Sequence, residues 1–154
     1  SLLFLSYGVS VDEFQHRVYE NPTLTPEERR KMWLEIQGKY MPWVTYENAP
    51  YLENGGRWQN QTHIYQMPFY YIDYTLAQVC AFQFYRKMNQ DFSAAWKDYY
   101  TLCCAGGSLH FLDLMKLAKL DSPFEDNGFK EMADFVCSEI NRMYNDYYQT
   151  EKGA

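Results

Sequence analysis

The stretch His63–Tyr85, HIYQMPFYYIDYTLAQVCAFQFY, decides how this chain is read. Pro68 suits the first turn of a helix, where its missing N–H is no loss. No Pro or Gly follows it until Gly106. A helix opened by Pro68 sets Tyr71, Tyr74 and Gln78 on one face, at steps of three and four. Ile72, Leu76, Val79 and Gln83 fall on a second face, and Tyr70, Asp73, Ala77, Cys80 and Phe84 on a third. A helix apolar on most sides is expected to be largely buried. Yet this one carries four tyrosine hydroxyls and a carboxylate, which destabilise a core unless they find partners. Either these groups are satisfied inside a core or they line a pocket.

Upstream, Met41 to Arg57 contains Pro42, Pro50 and Gly55-Gly56 and reads as irregular. Its Trp43, Tyr46, Tyr51 and Leu52 predict a packed loop rather than a disordered one. Arg57 to Gln66 reads as a short helix leading into Pro68. Before the loop, Thr25, Pro26 and Glu28 make a capping box with Pro at the first helical position. The stripe of that helix is Met32 or Trp33, Ile36 and Tyr40. Ser10 and Glu13 suggest another capping box, with Gly8 closing a preceding buried helix and Val11, Phe14 and Val18 forming the next stripe.

Downstream, Asn89-Gln90-Asp91 reads as a turn. Phe92 to Ala105 is a helix with Trp96, Tyr99, Tyr100 and Cys103 as its apolar side. Gly106-Gly107 ends it, and Ser108 caps a helix over Leu109 to Leu120. After Asp121-Ser122-Pro123 a last helix runs from about Asn127 to Tyr148, with Phe129, Met132, Phe135 or Val136, Ile140 and Tyr144 in register. No segment alternates with a period of two. The fold class is all-α, with six or seven helices, read as a single helical unit over residues 1–154.

The chain has 154 residues, 47% hydrophobic and 19% aromatic, which is one domain's length with material for a core. Fifteen tyrosines point to surfaces that are half apolar and half polar, such as pockets and interfaces. A net charge of −6 and the lack of a basic run argue against nucleic acid as a partner. Cys80, Cys103, Cys104 and Cys137 show no CxxC spacing and read as reduced thiols of a cytoplasmic protein. Ser1 to Leu5 is apolar but too short for a signal or a membrane span. Because it starts inside an apolar run, it reads as part of something longer.

The chemistry-bearing residues are few. No HExxH is present, and Glu13 and His16 form at most half of a carboxylate-bridged metal site. His110 and Asp113, three apart, read as a side-chain pair. Gly106-Gly107-Ser108 reads as a helix–helix turn. His63 alone is an ordinary structural histidine. Beside Tyr71 and Tyr74, near a positive helix N-terminus, it can hold an oxygen that gains negative charge.

Four stretches carry a resemblance: SLLFLSYGVSVDEFQHRVYENP, GGRWQNQTHIYQMPFYYIDYTLAQVCAFQFY, AGGSL and SPFED. In this order and spacing, from Leu2 to about Phe129, the chain resembles the C-terminal part of the oligoendopeptidase F family. These are zinc metallopeptidases related to thimet oligopeptidase. The resemblance implies an all-helical bowl around a closed channel, in which zinc-bound water attacks a peptide carbonyl. It implies zinc held by HExxH and a following Glu, all upstream of the part seen here. No metal ligand is therefore expected among these residues, and the chain alone is expected to be inactive. The implied partners are short peptides and the missing N-terminal part of the enzyme. By motif, Tyr74 is the implied oxyanion donor, and His63 and Tyr71 the substrate-binding residues. Tyr70 is a further substrate-binding candidate. The alternative is a stand-alone helical interaction module that uses the tyrosine-rich face.

Overall fold

A computed structural model describes the backbone of residues 2–152 and their side chains except those of 126–128 and 149–152. Ser1 lies outside the described residues. The helices are α1 (Leu2–Glu20), α2 (Pro26–Tyr40), α3 (Pro50–Glu53), α4 (His63–Gln66), α5 (Ile72–Gln90), α6 (Phe92–Ala105), α7 (Phe111–Leu117) and α8 (Asp126–Lys152). A 3-10 turn spans Arg57–Asn60. Among the described residues there is no strand. The all-α class is therefore as expected. The chain divides into two compact units, Ser1–Gln78 and Val79–Ala154, where the sequence reads as one. The boundary falls inside α5.

In the first unit α1 packs on α2. Thr25 caps α2 as expected: its hydroxyl accepts from the Glu28 N–H at 3.3 Å, and its own N–H donates to the Glu28 carboxylate at 2.7 Å. Trp33 and Ile36 are fully buried among Val11, Phe14, Met41 and Trp58. Each such side chain contributes on the order of 1.5–3 kcal/mol by leaving water. Lys39 and Arg17 meet Glu13, and Arg17 also meets Glu35, tying α1 to α2.

α1 corrects the sequence reading. Gly8 does not end a helix and Ser10 does not start one; both are buried inside one continuous helix. The Ser10 hydroxyl donates back to the Ser6 carbonyl at 2.7 Å, so it serves the preceding turn instead of capping a new one. The Phe4 ring lies 5.8 Å from that of Tyr71.

Pro68 does not open α5. The helix starts four residues later, because Phe69 has φ 63 and breaks the right-handed run. Nor is α5 largely buried. Thr75, Val79, Gln83 and Phe84 are buried, while Tyr74, Ala77, Ala81 and Tyr85 are exposed.

In the second unit α6 packs on α7, and Phe84, Met115, Ala118 and Leu120 form a core. The expected apolar side of α6 is exposed at Trp96, Tyr99, Tyr100 and Cys103, and the helix buries Ala95 and Asp98 instead. Asp98 belongs inside because two ammonium groups meet it, Lys87 and Lys119, each at 2.8 Å. α7 is shorter than expected. His110, not Ser108, holds the N-cap position, and Lys119 at φ 53 turns the chain out of the helix. In α8 Met132 and Val136 are buried, whereas Phe129, Ile140 and Tyr144 are exposed.

Candidate functional site

His63 opens α4, Tyr70 and Tyr71 lie in the turn that follows, and Tyr74 sits in the first turn of α5. The left-handed Phe69 folds this turn back, and Gln15 of α1 holds it there by accepting the Phe69 N–H at 2.9 Å. The result is a cluster of four rings. His63 lies 5.0 Å from Tyr71, 5.8 Å from Tyr74 and 6.2 Å from Tyr70, centroid to centroid. Tyr74 lies 5.3 Å from Tyr70 and 5.6 Å from Tyr71. The four residues singled out from the sequence thus meet, though through a folded turn rather than one helical face.

Their surroundings differ. Tyr70 and Tyr74 are exposed, at 38% and 42%, and His63 and Tyr71 are half-buried. A hydrogen bond with Tyr70 holds the Tyr74 hydroxyl above the usual phenol range. Burial raises Tyr71, against the pull of the Arg57 cation. Tyr71 and Tyr74 are therefore protonated at neutral pH.

Behind the cluster lie residues that the sequence reading did not single out. Gln61 Nε2 is 2.6 Å from His63 Nδ1, and Gln61 Oε1 accepts from the Tyr7 hydroxyl at 3.0 Å. Arg57 stands over the Tyr7 ring, 4.9 Å from its centroid, with its Nε buried and unpartnered. Tyr7 itself packs edge-on against Tyr71 and Trp33. A signal for Tyr7 existed. Tyr7, Val11 and Phe14 stand at helical steps, which a break at Gly8 concealed. Arg57 and Gln61 fall within the stretch GGRWQNQTH that carries the resemblance.

The other candidates have local partners of their own. His16 lies 3.5 Å from Asp12 and packs on Phe69, while Glu13 is taken by Arg17 and Lys39. Asp113 pairs with Lys116, and His110 occupies an N-cap position. The four cysteines are free thiols. Among the described residues no three of His, Cys, Asp or Glu stand close enough to hold a metal ion. The cluster offers hydrogen-bond donors: two exposed phenols, a third half-buried one and an imidazole. Such a set recognises carbonyl and backbone oxygens.

An all-helical chain with this donor cluster matches a class of peptidases. Residues 2–134 match Peptidase family M3, and the chain belongs to that family. Among solved structures it is similar to PZ peptidase A bound to an inhibitor, with 52% identity over 90% of this chain and a TM-score of 0.85. It is similar to an oligoendopeptidase F, with 53% identity over 91% and a TM-score of 0.85. A further oligoendopeptidase F, from Bacillus anthracis, shows 43% identity over 92% and a TM-score of 0.71. The chain spans about a quarter of the length of these proteins: 25%, 25% and 22%. No curated protein matches it.

Proposed function

We propose that this chain forms the substrate-cleft part of a zinc-dependent oligoendopeptidase that hydrolyses short peptides. The observation that supports the reading is the meeting of His63, Tyr70, Tyr71 and Tyr74 in one partly exposed donor cluster. In this reading Tyr74 donates to the carbonyl oxygen as it becomes an oxyanion. His63, Tyr71 and Tyr70 hold the peptide's backbone oxygens. Donors fixed in place before reaction act on the transition state without reorganisation.

In this reading the zinc ligands, an HExxH pair and a following Glu, belong to another part of the enzyme. When bound there, zinc supplies Lewis acidity and an activated water. Without an HExxH motif, this chain alone is expected neither to hold that zinc nor to cleave. Its partners are then the rest of the enzyme and short peptides, with no nucleic acid. No described helix is long and apolar enough to cross a membrane. Four unpaired thiols accord with a reducing compartment, the cytoplasm.

The test is His63→Ala in the complete enzyme. It should raise KM and lower kcat on a short fluorogenic peptide, while metal analysis still finds the wild-type zinc content. Unchanged kinetics would remove His63 from the peptide site, and lost zinc would make it a metal ligand instead.

A further inference from the structure

Only the imidazole nitrogen that carries the proton can donate to a substrate oxygen, so the tautomer of His63 decides what it can do. Polar side chains reach its Nδ1 from within the first unit. The Tyr7 hydroxyl donates to Gln61 Oε1, at 3.0 Å. The other end of that amide, Nε2, lies 2.6 Å from His63 Nδ1. An amide nitrogen only donates, so in this arrangement Nδ1 accepts and the imidazole proton sits on Nε2.

The amide could in principle be reversed, with Nε2 donating to the phenol oxygen and Oε1 accepting from His63. Arg57 opposes that reversal. Its guanidinium stands 4.9 Å from the Tyr7 ring centroid, over the ring face. The guanidinium also hydrogen-bonds the Tyr7 side chain, and because it can only donate, the phenol oxygen accepts from it and its own proton turns away. The proton then points to Gln61, which must present Oε1. The Arg57 charge likewise lowers the Tyr7 pKa, against the larger upward effect of burial.

We propose that Arg57, Tyr7 and Gln61 form a positioning relay that holds His63 as the neutral Nε2-protonated tautomer, with Nε2–H offered to a peptide oxygen at the tyrosine cluster. This rests on the reading of that cluster as a peptide site. Arg57, Tyr7 and Gln61 act through His63 and are positioning residues. They come from three places in the chain: α1, the 3-10 turn and the connection into α4. The relay therefore links the tautomer of His63 to the packing of α1 against the turn. A histidine held in the wrong tautomer keeps its place yet loses its function.

The test is nitrogen NMR of the complete enzyme labelled with 15N-histidine, with the His63 signals assigned by difference against His63→Gln. The expected result is a proton on Nε2 and a bare Nδ1. In Gln61→Glu a carboxylate faces Nδ1 and accepts from it, so Nδ1 should gain a proton. kcat/KM should then fall on the order of 100-fold. Tyr7→Phe frees the amide to turn and should give a mixture of tautomers, which serves if Gln61→Glu fails to fold. A wild-type His63 protonated on Nδ1 alone overturns the relay, as does a tautomer that neither variant shifts. Full peptidase activity in His63→Ala overturns the peptide-site reading instead. The NMR result needs no substrate and decides the relay separately.

Discussion

Gly8 of α1 and Thr75 of α5 approach so closely that a methyl group on Gly8 would collide with the Thr75 hydroxyl. Thr75 follows Tyr74 directly, so this contact helps set where the tyrosine cluster lies against α1. Gly8→Ala should destabilise the protein by about 1–3 kcal/mol through overpacking. That outweighs the roughly 1 kcal/mol that alanine gains over glycine within a helix. Denaturant melts check it, and Thr75→Ala in the same chain should restore most of the loss. A stabilised Gly8→Ala single variant would show that the helices yield freely.

Gln15 is almost fully buried and accepts the N–H of Phe69, the residue that reverses the turn. Gln15→Leu leaves that N–H unpaired, at a cost of about 1–3 kcal/mol. The turn carries Tyr70 and Tyr71, so peptide KM should rise in parallel. A melting temperature that falls while KM stays constant would separate the turn from substrate binding.

The Asp98 carboxyl is drawn from its usual 3.8 down to about 2, first by Lys119 and then by Lys87. A carboxyl lowered on folding stabilises the protein above its unfolded pKa. The contribution is lost as pH falls through the folded value. Asp98→Asn should therefore melt below the wild type at neutral pH. The gap should close as pH drops from about 3.8 toward 2. A gap that does not change with pH would assign the effect to packing.

What the sequence made legible, and what it hid, follow from the range of the forces involved. The cap at Thr25, the helix Phe92–Ala105 and the break at Gly106 depend on neighbours within a turn, and they stand where local chemistry puts them. Gly8, Phe69 and Asp98 depend on partners far along the chain. Gly8 is glycine because Thr75 crowds it, so it mimicked a helix end. Phe69 takes a left-handed conformation that its residue type disfavours, held by Gln15 from 54 positions away. Asp98 is buried because two lysines meet it, which no apolar pattern can show. His63, Tyr70, Tyr71 and Tyr74, which meet in one cluster, could be singled out because the tyrosine run stands out locally, whereas Tyr7 lay behind a helix break that does not exist.

The central claim is that Tyr74 donates to the oxyanion formed during peptide hydrolysis. The most direct measurement compares Tyr74→Phe with wild type in the complete enzyme. It pairs kcat with the affinities of a phosphinic peptide, which mimics the tetrahedral intermediate, and of a ground-state product peptide. A transition-state donor predicts a fall in kcat on the order of 100- to 1000-fold. The phosphinic peptide should weaken in step, while product affinity and melting temperature barely move. A near-normal kcat with a lowered melting temperature would contradict the account and make Tyr74 a packing residue.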